Sequence, residues 1–184
     1  SILIKTNIKI CGIIKIRKRA RTQREFNRSW RWGRQTMKEW EKHGTLCHKA
    51  YLLAKKYHKN QVDKAGNDYM EHLLAVASTV VTYDEQVVSW LHDIIEDTTC
   101  CAVDLLSYGI PERLVTAIQA LTRQPGEAYS DFILRVLKDP IARVVKLADL
   151  RHNLDSSRFA DPSLYPESLR KRYTKAVGVL LGES

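Results

Sequence analysis

Residues 83–97 read YDEQVVSWLHDIIED, and this stretch predicts an α-helix with two distinct faces. At about 100° per residue, the apolar and polar side chains separate onto opposite sides of the helix. The apolar side consists of Val87, Val88, Trp90, Leu91, Ile94 and Ile95. The polar side consists of Glu85, Gln86, Ser89, His92, Asp93, Glu96 and Asp97. Taken alone, that polar side fits either a solvent-facing surface or a metal and acid/base cluster.

The sequence around this helix predicts further helices and almost nothing else. Thr45 precedes an apolar-periodic run, Asp84 is in position to cap the quoted helix, and Pro140 opens another run. Gly66 lies in a polar stretch that is typical of a turn. A chain of 184 residues fits one domain of ordinary size. We therefore expect an all-α domain, a bundle of about seven or eight helices, over residues 37–184.

The net charge of +9 is concentrated at the N-terminus. Residues 1–36 carry 11 Lys or Arg and one Glu, whereas the remaining residues carry 19 basic and 20 acidic side chains. One interpretation is a nucleic-acid-binding arm in which Trp30 and Trp32 stack on bases. A second is an organellar targeting segment. A third is that the native chain begins at Met37, so that this basic extension is disordered or not native.

Cysteine spacing and hydropathy indicate the cellular compartment of the protein. The four cysteines show no CxxC spacing, which disfavours a disulfide framework or a thiolate zinc site and favours a reducing compartment. No apolar run approaches the roughly 20 residues that span a bilayer. We expect a cytoplasmic protein with no membrane partner.

Two polar residues occupy apolar surroundings in the predicted helices. Asp149 lies between two apolar arcs of the helix that Pro140 opens, and a helix that is apolar on two sides is buried on two sides. A buried carboxylate requires a cation, either Lys or Arg or a metal. His72 is similarly placed, as a hydrogen-bonded core residue or as a ligand. With His92 and Asp93 the two form a set of two His and two Asp that suits a first-row divalent ion.

The order of these residues resembles that of the HD-domain metal phosphohydrolases. More narrowly, GNDYMEH (66–72), LHDIIEDT (91–98) and VKLADLRHN (145–153) resemble the hydrolase domain of the RelA/SpoT family and its small single-domain relatives. The resemblance extends from about residue 45 to residue 158. It implies an HD hydrolase domain over residues 37–184.

The resemblance implies a metal site and a reaction. Its metal ligands correspond to His72, His92, Asp93 and Asp149, which would hold Mn²⁺ or another divalent first-row metal. Its Glu-Asp pair corresponds to Glu96 and Asp97, which would act on the nucleophilic water. The reaction implied is guanosine-3′,5′-bis(diphosphate) 3′-pyrophosphohydrolase activity, the removal of pyrophosphate from (p)ppGpp in the stringent response.

The residues for substrate binding are a further expectation. They are Lys64, Lys146, Arg151, Asn153 and Ser156. For Lys146 and Arg151, a surface charge is the alternative to neutralising phosphate. The family has two basic residues where this chain has Asp63-Lys64, which bears on recognition of the guanine nucleotide. His152 is interpreted as structural. The stretch LTRQPGEAY (121–129) resembles a feature of the small relatives, and the sequence gives it no role.

Three functions remain open at this point. The first is a dedicated (p)ppGpp hydrolase, with no synthetase region expected. The second is an HD phosphohydrolase for another nucleotide, which Asp63 favours. The third is a non-catalytic nucleotide-sensing domain, with nucleic acid as a partner only if residues 1–36 are native. The pattern does not indicate an oligomeric state.

Overall fold

The structure, a computed structural model, describes residues 45–159 and 161–183. Within these ranges it contains nine α-helical segments, two 3₁₀ turns and no strand. The helices are α1 (Leu46–Tyr57), α2 (Tyr69–Ala77), α3 (Tyr83–Leu91), α4 (Ile94–Asp97), α5 (Ala102–Ser107), α6 (Glu112–Leu121), α7 (Tyr129–Val136), α8 (Pro140–Asn153) and α9 (Glu167–Leu181). The 3₁₀ turns, Ser156–Arg158 and Pro162–Leu164, lie between α8 and α9.

The predicted all-α class is confirmed. The single-turn α4 follows α3 after two residues, so the described residues contain eight helices when the two are counted as one interrupted helix. The basic extension 1–36, the boundary at residue 37 and the nucleic-acid arm all lie outside the described residues.

Helix α3 lies at the centre of the bundle and contacts α1, α2, α6 and α8. Its apolar residues Val87, Val88 and Leu91 are fully buried, as the pattern predicts. Because neighbouring helices cover α3 from more than one side, its polar residues Gln86, Ser89 and His92 are also buried. Of the two alternatives for the polar side, a solvent-facing surface does not apply to these three residues, whereas Glu96 and Asp97 are exposed.

The helix ends follow local chemistry, with one correction. Helix α3 is capped by Thr82, whose hydroxyl accepts from the Glu85 N–H while the Glu85 carboxylate accepts from the Thr82 N–H. The predicted cap at Asp84 is wrong, since Asp84 forms an ion pair with Arg113 instead. The other predicted ends are confirmed: Thr45 caps α1, Pro140 occupies the first turn of α8, and Gly66 turns with φ +84°.

The predicted helix over 83–97 is interrupted at His92 and Asp93. Asp93 has φ −103° and ψ 0°, at the edge of the right-handed helical region and next to the sparsely populated bridge region. The chain resumes as the single turn α4, in which the Asp97 N–H donates to the Asp93 carbonyl at 2.9 Å. The break places His92 and Asp93 at a junction between two helical segments.

Candidate metal centre and active site

Three helices bring the four predicted ligands together. His72 comes from α2, Asp149 from α8, and His92 and Asp93 from the α3–α4 junction. One ligand atom from each of His72, His92 and Asp149 lies within 4.8 Å of the other two, and this group could hold a metal ion. Asp93 joins them through its Oδ2 atom, which lies 2.9 Å from His92 Nε2 and 3.6 Å from His72 Nε2.

His92 is oriented for ligation. Its Nδ1 lies 2.8 Å from the carbonyl oxygen of Ser89, which can only accept, so Nδ1 carries a hydrogen. Its Nε2 is buried and lies 2.9 Å from Asp93 Oδ2 and 3.9 Å from Asp149 Oδ1, in a geometry that forms no hydrogen bond among the described residues. A buried ring nitrogen without a partner, held by a hydrogen bond on its other nitrogen, is the usual arrangement of a metal-ligating histidine. The residues therefore fit a divalent ion.

His72 is supported from behind by His152, whose Nδ1 lies 2.8 Å from the His72 Nδ1. Burial lowers the pKa of His152 to about 4, so at neutral pH it is uncharged and can accept the His72 hydrogen. Burial would also lower the pKa of His72, but hydrogen bonds and charge from Asp149 and Asp93 outweigh it and raise that pKa to about 9. Without an ion, His72 is therefore protonated at neutral pH.

Asp149 has a lysine partner and also faces the two imidazoles. Its Oδ2 lies 2.7 Å from the Lys146 ammonium, while its Oδ1 lies 3.4 Å from His72 Nε2 and accepts from the Asn153 amide. The buried carboxylate is thus paired with a lysine on one side and faces the imidazoles on the other. Burial would raise the pKa of Asp149, but these cationic groups hold it well below its usual range.

Tyr69 links the ligands to the predicted acid/base pair and was missed in the sequence. Its hydroxyl donates to Asp93 Oδ2 at 2.6 Å and to Asp97 Oδ2 at 2.8 Å. Burial, and then the two carboxylates, raise the pKa of this phenol, so it stays protonated and remains a donor. A signal was present, because Tyr69 precedes His72 by three residues and so shares its face of α2.

Glu96 lies at the edge of the site and is held by the loop after α6. Its Oε2 accepts from the backbone N–H of Arg123 at 2.9 Å. Although the side chain as a whole is exposed, partial desolvation raises the pKa of this carboxyl, and the Arg123 N–H offsets only part of that rise. Glu96 and Asp97 therefore occupy the same short helix, next to the ligand cluster, with different partners.

A cavity of about 320 Å³ opens over this cluster, and both acidic and basic side chains line it. Of the predicted substrate residues, Lys64, Lys146 and Asn153 line the cavity. Arg151 is exposed on α8 and Ser156 lies in a 3₁₀ turn, and neither is part of that lining. Sequence reasoning missed the contributions of Arg158, Arg172 and Tyr173 to the cavity wall.

Asp63, the departure from the family pattern, has structural partners. Its Oδ1 accepts from the N–H groups of Ala65 and Asn67, and its Oδ2 pairs with the guanidinium of Arg158. Burial would raise the pKa of Asp63, but these partners together lower it. Asp63 thus fixes the turn at Gly66. Asp63, directly before Lys64 in the sequence, also pairs with a basic side chain, that of Arg158.

Comparison with known proteins places these observations in a family context. No family model matches the chain. It is 26% identical over 140 residues to a probable GTP pyrophosphokinase of Mycobacterium leprae, a match that covers 69% of this chain and 18% of that protein. It is 29% identical over 120 residues to the bifunctional (p)ppGpp synthase/hydrolase SpoT of Escherichia coli K12, covering 57% of this chain and 17% of that protein.

Another relative, GTP pyrophosphokinase rsh of Brucella melitensis, is 32% identical over 123 residues, covering 59% of this chain and 16% of that protein. The chain thus spans less than a fifth of the length of these curated relatives. The predicted resemblance to RelA/SpoT proteins is confirmed by these matches.

A solved structure supports the fold. It is described as a metazoan ortholog of SpoT that hydrolyses ppGpp, and it superposes with a TM-score of 0.61 over 75% of this chain and 86% of that one. At 20% identity, this likeness shows a shared fold. In the described ranges, no helix is long and apolar enough to cross a membrane.

Proposed function

We propose that this domain is a metal-dependent phosphohydrolase whose substrate is guanosine 3′,5′-bis(diphosphate), from which it removes the 3′-pyrophosphate. The observation that carries the proposal is the buried Nε2 of His92, which lies 2.9 Å from Asp93 Oδ2 and 3.9 Å from Asp149 Oδ1. Asp93, Asp149 and His72 also line a cavity. The relatives named above, whose descriptions include (p)ppGpp synthase/hydrolase, support the choice of substrate.

The ligands of the ion in this proposal are His72, His92, Asp93 and Asp149, with Mn²⁺ as the favoured metal. Histidine and carboxylate donors of this kind suit a first-row divalent ion. When bound, such an ion supplies Lewis acidity, which lowers the pKa of water and offsets the charge of a phosphoryl oxygen. Lys146 keeps the second oxygen of Asp149 neutralised, so that Oδ1 alone faces the imidazoles.

Glu96 is the general base in this proposal. Its raised pKa brings the carboxyl closer to neutrality, where a base is most effective. The Arg123 N–H holds one carboxylate oxygen, which leaves the other free to accept a proton from the attacking water. Asp97 is oriented by Tyr69 and positions that water from the other side.

A substrate panel with the full chain tests the proposal. The assay combines residues 1–184 and Mn²⁺ with ppGpp, pppGpp, a 2′-phosphorylated dinucleotide and a deoxynucleoside triphosphate. We expect release of pyrophosphate from ppGpp well above the background of an Asp149→Asn variant. Equal rates for the two proteins on every nucleotide would show that the domain is not a phosphohydrolase and would favour a nucleotide-sensing role.

A second candidate is the same chemistry on another nucleotide. Asp63 favours it, because a carboxylate stands where the family has a basic residue and Arg158 is occupied by pairing with it. Faster turnover of a panel member other than ppGpp and pppGpp would select this candidate.

The Tyr69→Phe variant tests the link between the ligands and the acid/base pair. Removing the hydroxyl leaves Asp93 and Asp97 without their shared donor. We expect kcat to fall by about 10–100-fold, the usual effect of losing a hydrogen-bond partner of a metal ligand. Steady-state kinetics at saturating Mn²⁺ measure the effect. Tyr57→Phe is the matched control, since the Tyr57 hydroxyl contacts Tyr108 away from the cavity; an equal loss in both variants would contradict the role of Tyr69.

Metal binding is expected to depend on pH through His72. A pKa of about 9 in the ion-free protein means that a proton occupies His72 at pH 7 and must leave when a metal binds. The apparent affinity for Mn²⁺ should therefore rise by about tenfold per pH unit between pH 6.5 and 8.5, with release of at least about one proton. Calorimetry in two buffers of different ionisation enthalpy measures that release. An affinity that is constant over this range would contradict the proton on His72.

A further inference from the structure

The turn that follows α1 packs against Tyr69, and a buried histidine anchors it. His58 is the first residue after α1, and only 1% of it is exposed. Asn60 adopts φ +65°, a left-handed conformation that Asn tolerates better than most residues. Beyond this bend, the Gln61 N–H donates to the His58 carbonyl at 3.0 Å, and the Gln61 carbonyl accepts from the Tyr69 N–H at 3.0 Å. The backbone thus ties His58 and Tyr69 to the same residue.

The side chains of these residues are connected as well. The imidazole of His58 stacks on the phenol ring of Tyr69, with ring centres 4.8 Å apart and planes inclined by 13°. Its Nδ1 lies 2.8 Å from Gln61 Oε1, which can only accept, so Nδ1 carries a hydrogen and the bond fixes the plane of the imidazole. The Tyr69 ring also meets His72 edge-on, at 5.5 Å between ring centres. Contacts with two imidazoles therefore hold the phenol ring.

The other ring nitrogen of His58 has no structural partner. His58 Nε2 is buried and makes no hydrogen bond among the described residues. Burial lowers the pKa of His58, so at neutral pH the ring is uncharged and does not compete with Tyr69 for the carboxylates of Asp93 and Asp97. A buried polar atom without a partner costs free energy, and an apolar side chain of similar size would avoid that cost. The stability of the fold alone therefore does not account for an imidazole here.

The ring that His58 contacts carries the donor that joins the ligand cluster to the acid/base pair. The Tyr69 hydroxyl lies 2.6 Å from Asp93 Oδ2 and 2.8 Å from Asp97 Oδ2. A hydroxyl has a single hydrogen, so it can serve both carboxylates only from a position between them. Rotation of the ring would bring the hydroxyl closer to one carboxylate and weaken the bond to the other. The plane of the Tyr69 ring therefore matters for both acids.

We propose that His58 is a positioning residue, which stacks on Tyr69 and keeps the Tyr69 hydroxyl between Asp93 and Asp97. Gln61 supports it by fixing the plane of the imidazole. This inference rests on the proposed function, in which Asp93 holds the ion and Asp97 positions the water. It extends the site to a residue that does not line the cavity.

Two substitutions separate the ring of His58 from its nitrogen atoms. His58→Leu removes the flat face, and we expect Mn²⁺ affinity and kcat each to fall by about tenfold, the lower end of the effect of losing an outer partner of a metal ligand. KM should change little, because His58 does not line the cavity. His58→Phe keeps an aromatic face against Tyr69 and should retain most of the wild-type affinity and kcat. Calorimetric titration with Mn²⁺ and steady-state kinetics with ppGpp measure these effects.

A double-mutant cycle decides whether His58 acts through Tyr69. In a Tyr69→Phe background the hydroxyl is already absent, so His58→Leu should cause little further loss of Mn²⁺ affinity or kcat. Independent effects would multiply instead, and the double variant would lose about tenfold more than Tyr69→Phe. Losses that multiply, or a His58→Phe variant as impaired as His58→Leu, would overturn the positioning role.

Two controls separate this role from a general effect on the fold. Urea denaturation of His58→Leu should give a midpoint close to that of the wild type, because the apolar side chain replaces a ring with an unpartnered buried nitrogen. The matched variant is His48→Leu, since the His48 ring stacks on Tyr51 at 6.2 Å and neither residue lines the cavity. It should retain wild-type Mn²⁺ affinity. An equal loss of affinity in His48→Leu would assign the effect to the packing of α1 and overturn the proposal.

The Mn²⁺ titrations also separate this proposal from the hydrolase proposal. They need no turnover, so losses of affinity at His58 and Tyr69 that do not multiply would uphold the positioning role even if no nucleotide in the panel were hydrolysed. Hydrolysis of ppGpp together with losses that multiply would uphold the hydrolase and reject the role of His58. Absence of Mn²⁺ binding by the wild type would reject both.

Discussion

The Asp149→Asn variant is expected to lose both metal binding and hydrolysis. Asp149 contacts both the imidazole of His72 and the Lys146 ammonium. Loss of a catalytic divalent ion removes several kcal/mol of transition-state stabilisation, so kcat should fall by at least about a thousandfold. The measurements are pyrophosphate release under saturating Mn²⁺ and the stoichiometry of bound metal.

The same substitution should destabilise the fold. Lys146 and Asp149 are both largely buried, with 13% and 4% of their side chains exposed. Removing one partner leaves a buried ammonium without a carboxylate, which costs about 3–5 kcal/mol. Urea denaturation measures the change in the free energy of unfolding.

A double variant separates the two effects. Lys146→Met with Asp149→Asn removes the unpaired charge and should recover part of the lost stability without recovering activity. A double variant that regains hydrolysis would contradict Asp149 as a ligand, since its effect would then be on folding alone.

Glu96→Gln is expected to lower kcat by about 10²–10⁴-fold while metal binding persists. The amide keeps the size of the side chain and can still accept from the Arg123 N–H, but it cannot take a proton from water. Metal titration and steady-state kinetics on one preparation distinguish loss of the base from loss of the ion.

The matched control for this variant is Glu112→Gln, an exposed acid in the first turn of α6 that does not line the cavity. It should retain wild-type kcat and metal affinity. Full activity in Glu96→Gln would transfer the role of base to Asp97, whose carboxylate is the remaining acid of α4.

The helical class could be predicted from local patterns, whereas the meeting of His72, His92, Asp93 and Asp149 was expected from the resemblance to the HD-domain hydrolases. A 3.6-residue period indicates helices, and ligand spacing within each helix is retained when the helices pack. The burial of Asp149 could be predicted from a local pattern as well. A charged residue between two apolar faces of a helix is buried, so it requires a cation whichever helices pack around it. The ligand roles of these residues stay predictions until a metal is measured.

The remaining features depend on how helices meet, which local patterns do not encode. The burial of Gln86 and Ser89 results from α3 having neighbours on more than one side, which the two-faced pattern of its sequence does not indicate. The cavity contacts of Arg172 and Tyr173 come from α9, and its sequence does not indicate which neighbour this helix contacts. Arg151 was a candidate for neutralising phosphate because of its charge, but it lies on the exposed side of α8.

Arg135 of α7 holds the loop after α6 through five hydrogen bonds, and this network affects the free-energy cost of binding a ligand in the cavity. Because its five donors are already satisfied by Glu127 and three carbonyl oxygens, the wall that carries Arg123 and Tyr129 is built before any ligand arrives. A nucleotide would therefore meet a preorganised surface and would pay little conformational entropy to order it. The five Arg135 bonds do not involve the side chains of Arg123 or Tyr129, so substitutions at these two residues leave the Arg135 network in place.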